Sequence, residues 1–255
     1  MKSYGAERNL VHGSTIAASA TQVSESGHPQ FASLQVGEMG SANVASVFLD
    51  LSGFTSRTFW ESPQDSARLA HAVLSGFASV VRSLGGHVLG LRGDGLFASF
   101  GPSHDAISVS VALAAAAASL HAVESDLNSR LSAVGISPVI ARAGVDFGEL
   151  VFVRSGDETS SEVNVVGFSA NFAAKCEKFA NAWEIVVGEG AASVLPSRLS
   201  LTSRDGSPKL FQHEGNRRSY HYYDFSWRKM LSEVEGLIQD VDGLPLENIP
   251  VRSAA

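Results

Sequence analysis

Two strand-like runs, His87–Arg92 and Leu96–Phe100, meet through Gly93-Asp94-Gly95, and this juncture constrains the fold more than any other stretch. An Asp-Gly pair between β-prone runs specifies a tight hairpin. Gly85-Gly86 just before it ends the preceding element. That element is helical: Ala67, Leu69, Ala70, Val73, Leu74, Phe77 and Val80 make an apolar stripe over about Ser62–Leu84. Further upstream, Val44 to Asp50 is short and mostly apolar, as a buried central strand requires. It stops at Ser52-Gly53, with Thr55 available as a cap for the next element.

A second long helix is expected over about Asp105–Val134. It is followed by a strand at Val139–Val145 and a Gly-punctuated return through Gly148 to Val153. Strand, helix, hairpin, helix, strand is the ferredoxin-like βαββαβ order of an α+β domain. After a polar loop over 155–162, Asn164–Gly167 leads into a helix reaching about Ala180, and Glu184–Val187 is a further strand. Lys209–His213 and Ser219–Phe225 read as a hairpin turning at Gly215-Asn216, and a helix closes near Ser226–Val241. The organisation expected is a loose arm over 1–43, with short elements near Asn9–His12 and Phe31–Val36. A core domain over 44–225 and a helix and tail over 226–255 complete it.

The formal net charge of -7 excludes a nucleic-acid binder, since no excess of Lys and Arg is available to neutralise phosphates. A single cysteine, Cys176, leaves no internal disulfide, and its neighbours Ala173, Ala174 and Phe179 place it as an inert thiol on a packed helix. The apolar stretch Val109–Val123 is broken by Ser110, Ser119 and His121 and is short for a membrane span. No secretory pattern opens the chain, so a cytoplasmic location with no membrane partner is expected. The eight histidines are scattered without zinc spacing, and no Gly-Lys-Ser or Gly-Lys-Thr run forms a P-loop. Thr58-Phe59-Trp60-Glu61 reads as core packing ahead of a part in a base pocket or helix start, and Tyr220, Tyr222 and Tyr223 as dimer or core aromatics.

Asp50 ends a buried strand at the mouth of a helix, where a carboxylate can hold Mg²⁺ or Mn²⁺ beside free backbone N–H groups. Asp94 sits at the hairpin tip. If the hairpin pairs beside the Asp50 strand, both carboxylates reach one edge, the geometry of a two-metal phosphoryl-transfer site. Alone, each has a plainer reading: Asp50 as a helix cap, Asp94 as turn chemistry. Asn171 precedes Lys175 by one helical turn, so the two share a face.

Four segments in register resemble the class III adenylate and guanylate cyclases. Val47-Phe48-Leu49-Asp50-Leu51-Ser52-Gly53-Phe54-Thr55 is similar to the family's first metal motif, and Gly93-Asp94-Gly95-Leu96-Phe97-Ala98-Ser99-Phe100, following Gly85-Gly86, to its second. Ala143-Gly144-Val145 with Gly148 resembles the next strand, and Asn164–Lys175 the helix carrying transition-state residues. The resemblance implies a class III cyclase catalytic domain with extra C-terminal strands and helix. It also implies a homodimer with composite sites that converts a nucleoside triphosphate to a cyclic monophosphate. Asp50, Asp94 and the Leu51 carbonyl would hold two Mn²⁺ or Mg²⁺ ions. Gly53, Phe54 and Thr55 would cradle phosphates, and Asn171 with Lys175 would serve the partner's site.

The departures bear on the base. Gly90 stands where adenylate cyclases place a base-reading Lys, Asn164 where they place Asp, and Lys175 where the family has Arg. The triphosphate-binding Lys has no clear counterpart; Arg217 or Arg218 could substitute. Arg92 replaces an apolar residue. In a strand it shares a face with Gly90 and Asp94, so its guanidinium would fill purine volume and donate to uracil's carbonyls. That pattern resembles the stand-alone pyrimidine cyclases of bacterial antiphage (Pycsar-type) systems, with UTP ahead of CTP and a separate cyclic-nucleotide effector. A structural ion pair is the other reading of Arg92.

Overall fold

The computed structural model describes residues 26–196 and 201–231. The expected element near Asn9–His12 and most of the expected closing helix lie outside them.

The first strand, β1 (Met39–Ser52), begins upstream of the Val44 start that the sequence suggests. Its alternation decides the layers. Ala45, Val47, Leu49 and Leu51 are buried in the main core, while Ser46, Phe48 and Asp50 face the opposite side. Among the described residues ahead of β1, Phe31 is buried and stacks on Phe152 at 4.1 Å.

A short helix α1 (Phe54–Trp60) follows, then α2 (Pro63–Ser83). Ser62 caps α2: its Oγ accepts the Asp65 N–H at 3.1 Å and donates to Asp65 Oδ2 at 2.7 Å, with Pro63 in the first turn. Such a cap contributes about 1 kcal/mol. Leu69, Val73, Phe77 and Val81 bury the stripe. The hairpin is as expected, β2 (His87–Arg92) against β3 (Gly95–Phe100).

Next, α3 (Asp105–His121) continues through a π-helical segment (Ala122–Leu127) into α4 (Asn128–Ala133). This 29-residue stretch is apolar enough to cross a membrane, with a mean hydropathy of 1.9 over its best window, yet 67% of that window is buried. Val109 and Ala112–Ala117 are fully buried in the main core.

The largest departure from expectation is β4 (Ile140–Gly156), one unbroken strand. The glycines suggest a return at Gly148; instead the strand pairs with β1 all the way from Ser52↔Ile140 to Met39↔Val153. Gly144 and Gly148 make room for a helix. A Cβ at Gly144 would lie 2.1 Å from both the Ala173 carbonyl oxygen and the Glu177 nitrogen, and one at Gly148 would meet Ser169 at 3.3 Å.

That helix is α5 (Phe168–Phe179), which follows β5 (Ser161–Val166). Then come β6 (Ile185–Gly188), α6 (Glu189–Val194), β7 (Leu201–Ser203), β8 (Lys209–His213), β9 (Asn216–Tyr220) and β10 (Tyr222–Phe225). The large sheet runs β2-β3-β1-β4-β6-β10-β7, with β5 on the far part of β4. Its first four strands have the ferredoxin-like order. The late hairpin differs from expectation: β8 pairs with β9 alone, whereas Tyr222–Phe225 joins β6 and β7 in the large sheet. Trp227 begins a 3₁₀ turn (Trp227–Met230) and is buried, its Nε1–H donating to the Trp183 carbonyl at 2.7 Å.

Buried Asp146 fastens the C-terminal part. Its Oδ1 accepts the Ala191 N–H at 3.1 Å, and the Tyr220 hydroxyl lies 3.1 Å from Oδ2. Burial pushes its pKa up to about 7. Tyr220 and buried Tyr222 therefore act in packing. Phe59 and Trp60 correct the core reading: they are 78% and 82% exposed and stack edge to face on α1.

Candidate active site

The face of β1 that carries Phe48 and Asp50 is also the face toward which β4 presents Arg142, and the ladder places Asp50 directly opposite Arg142. Arg142 Nη2 lies 3.0 Å from Asp50 Oδ2 and 2.7 Å from Glu177 Oε1 on α5. Asp50 Oδ1 lies on the other side, over Gly95: a Cβ there would be 3.3 Å from it. The hairpin thus brings Asp94 next to Asp50, as expected from the spacing. Asp94's pKa is raised, first by burial and then by the negative charge of Asp50. Glu177 is likewise raised, to about 7, by burial and then by Asp50, with Arg142 opposing.

Beside these carboxylates opens a cleft of ≈ 550 Å³. Phe48 and Phe97, stacked at 4.4 Å and 9°, line it together with Leu89, Val163 and Val165. Gly90 and Arg92 from β2 face Glu162 and Asn164 from β5 across it. These strands lie on opposite sides of the β3-β1-β4 block, so the sheet curls until Arg92 comes within 3.9 Å of Glu162. Both side chains are largely exposed, at 89% and 77%. The pair is loose and leaves the guanidinium's donors accessible. Asn164 Oδ1 accepts the Val165 N–H at 2.9 Å, so its amide nitrogen is the group left to donate outward. No side chain occupies Gly90's position, and a Cβ there would touch nothing within 4 Å.

Asn171 and Lys178 of α5 also line the cleft, whereas exposed Lys175 does not line that of its own chain. Gly53 adopts the left-handed conformation (φ 76°) that turns β1 into α1, with Phe54 and exposed Thr55 opening the helix outside the cleft. Gly53 rather than Thr55 is the cap residue. Arg217 and Arg218 are exposed on β9, in the separate two-stranded sheet.

Sequence reading missed Arg142, Glu177, Glu162 and Lys178. One signal was available for the first: a lone Arg between Ala141 and Ala143 in an apolar strand calls for a buried partner.

Among the described residues no group of three or more His, Cys, Asp and Glu side chains forms a metal cluster. The donor set is therefore two carboxylates. Hard oxygen donors of this kind fit Mg²⁺ or Mn²⁺.

No protein-family model matches the chain. It is 26% identical over 188 residues to a cytidylate cyclase of Escherichia coli, covering 70% of this chain and 40% of that protein. It is 23% identical over 207 residues to a cytidylate cyclase of Staphylococcus aureus, covering 76% and 49%. The matches thus span less than half the length of these curated relatives. Among solved structures, the adenylyl cyclase CyaB from P. aeruginosa superposes with a TM-score of 0.65 at 20% identity, covering 74% of this chain and 95% of that one. The guanylate cyclase domain of RhGC from Catenaria anguillulae superposes at 0.60 and 18%, covering 72% and 97%. This sheet order, with two carboxylates at the hairpin edge, gives the chain the catalytic fold of the class III nucleotide cyclases.

Proposed function

We propose that the protein is a pyrimidine nucleotide cyclase, converting a nucleoside triphosphate to its 3′,5′-cyclic monophosphate and pyrophosphate. The observation that carries this is the adjacency of Asp50 and Asp94 beside a cleft lined across from them by Gly90, Arg92, Glu162 and Asn164. Asp50, Asp94 and the Leu51 carbonyl would hold Mn²⁺ or Mg²⁺, which neutralises triphosphate charge and favours loss of the 3′-hydroxyl proton. The chain's own residues do the rest. Phe48 and Phe97 supply an apolar wall that excludes water. Gly53, Phe54 and Thr55 are the residues that the family resemblance assigns to the phosphates. Lys178, at the cleft on α5, is a cation suited to a triphosphate oxygen.

For the base, Arg92 and the Asn164 amide both present donors, matching the two carbonyls of uracil. UTP is therefore the first reading. CTP is the second, favoured by the names of the two curated relatives and by Glu162, a carboxylate able to accept from an exocyclic amino group. Incubation with each ribonucleoside triphosphate and Mn²⁺, followed by mass analysis, tests this. A cyclic pyrimidine monophosphate is expected. Arg92→Ala should lower pyrimidine turnover about tenfold, since a lost directional hydrogen bond to a base costs roughly 1–3 kcal/mol, and narrow the preference over ATP. A wild-type preference for ATP or GTP would refute the pyrimidine reading and leave the cyclase reading standing.

The working unit in this reading is a homodimer whose sites combine Asp50 and Asp94 of one protomer with Asn171 and Lys175 of its partner. Mixing inactive Asp94→Ala and Asn171→Ala protomers should then restore activity through one intact composite site. No recovery, with heterodimers verified by mass, would mean that each protomer holds a complete site. A cytoplasmic second-messenger role in antiphage defence, with a separate effector reading the product, completes the proposal.

A further inference from the structure

We propose that Arg142 is a positioning residue, braced by Glu177, that fixes the Asp50 carboxylate in its metal-receiving orientation. The inference rests on the metal-dependent cyclase reading above. Arg142 is held from the helix side. Its Nη2 lies 2.7 Å from Glu177 Oε1, and its Nη1 lies 3.5 Å from the carbonyl of Ala180, which follows α5. Gly144, two residues along the same face of β4, lets α5 approach closely enough for Glu177 to reach it. With those anchors set, the contact from Nη2 to Asp50 Oδ2, at 3.0 Å, orients the carboxylate, on which the neighbouring negative charge of Glu177 also bears. This orientation leaves Oδ1 over Gly95, on the side of Asp94. Without the brace Asp50 would sample rotamers in which neither oxygen faces Asp94, and ordering it again would count against metal binding. The same brace joins the strand carrying Asp50 to the helix carrying Asn171.

Charge alone makes the opposite prediction, because a guanidinium beside Asp50 repels a divalent cation. A charge-balanced replacement separates the two effects. Arg142→Met combined with Glu177→Met removes one charge of each sign, and exchanging a buried ion pair for apolar side chains is often neutral for stability. Mn²⁺ binding is read from the electron paramagnetic resonance signal of free Mn²⁺ in the presence of a 3′-deoxynucleoside triphosphate, together with thermal unfolding. The expected result is Mn²⁺ affinity about tenfold weaker, with little change in melting temperature. Arg142→Lys, which keeps the charge but not the planar fork, should recover part of the loss. Wild-type or tighter Mn²⁺ affinity in the double variant overturns the proposal. If the double variant does not fold, Arg142→Lys decides alone: affinity and turnover equal to wild type overturn it, and a several-fold loss of affinity supports it. Should wild-type protein neither bind Mn²⁺ nor cyclise any triphosphate, the cyclase reading falls and this proposal with it. Should wild-type protein do both while the double variant matches it, only the positioning proposal falls.

Discussion

Asp94→Ala is expected to cut cyclase turnover by about a thousandfold or more while leaving the protein at least as heat-stable as wild type. Under the proposed function the first half follows from the loss of one of the two carboxylates that would hold metal, since metal charge stabilisation is worth several kcal/mol and each 1.4 kcal/mol is tenfold in rate. The second half follows from the raised pKa of Asp94, driven by burial and by Asp50. A carboxyl whose pKa is higher in the folded protein binds protons more tightly there. Its contribution is then most favourable below the unfolded pKa and is lost as pH rises through the folded one. At neutral pH without metal, ionised Asp94 therefore disfavours the fold, and alanine relieves that. Asp50→Ala should lose turnover to the same degree. It also leaves Arg142 with Glu177 as its remaining carboxylate partner, so a modest fall in melting temperature is expected for that variant alone. Turnover within tenfold of wild type for either variant, measured at saturating Mn²⁺, would remove the two-carboxylate assignment.

The second large effect is one of packing. Gly144→Ala should destabilise the protein by about 3 kcal/mol or more, at the upper end of what overpacking costs. The added Cβ would sit 2.1 Å from the backbone of α5 at Ala173 and Glu177, and a backbone cannot rotate aside as a flexible side chain does. Melting should fall by roughly 6–12 °C at this chain length. Turnover should fall with it, because α5 carries Asn171 and Glu177. Gly90→Ala is the control: it meets nothing within 4 Å, so its stability should stay within about 0.5 kcal/mol of wild type. A Gly144→Ala protein that melts with the wild type would show that α5 does not depend on this close approach.

What could be read in the sequence was what local chemistry writes down. The Asp-Gly turn fixed the hairpin, and the stripe from Leu69 to Phe77 with Ser62 ahead of it fixed α2 to its first turn. The spacing of the two runs placed Asp50 and Asp94 together because a hairpin leaves few alternatives. The failures share a cause: each depended on a partner distant in the chain. Gly148 looks like a strand break until α5, some twenty residues on, is seen filling the space it leaves. Tyr222–Phe225 reads as the second arm of a hairpin, but β6 offers it a pairing inside the large sheet. Phe59 and Trp60 look like core by composition alone, and only the placement of α1 outside the sheet's two covered faces exposes them. Arg142 escaped notice since its two carboxylate partners lie 92 residues before it and on a different element after it.

The curl that brings β2 toward β5 has an evolutionary consequence. Asp50 lies on β1, in a ladder bonded on both sides, between β3 and β4, where substitution disturbs the whole domain. Gly90, Arg92, Glu162 and Asn164 sit on strands flanking that block, at half-exposed or exposed positions, and Gly90 has open space beside it. Replacing them costs the scaffold little. For a cyclase of the proposed kind, a lineage built on this plan could exchange one nucleobase for another through a handful of neutral steps, keeping its chemistry while changing the message it sends.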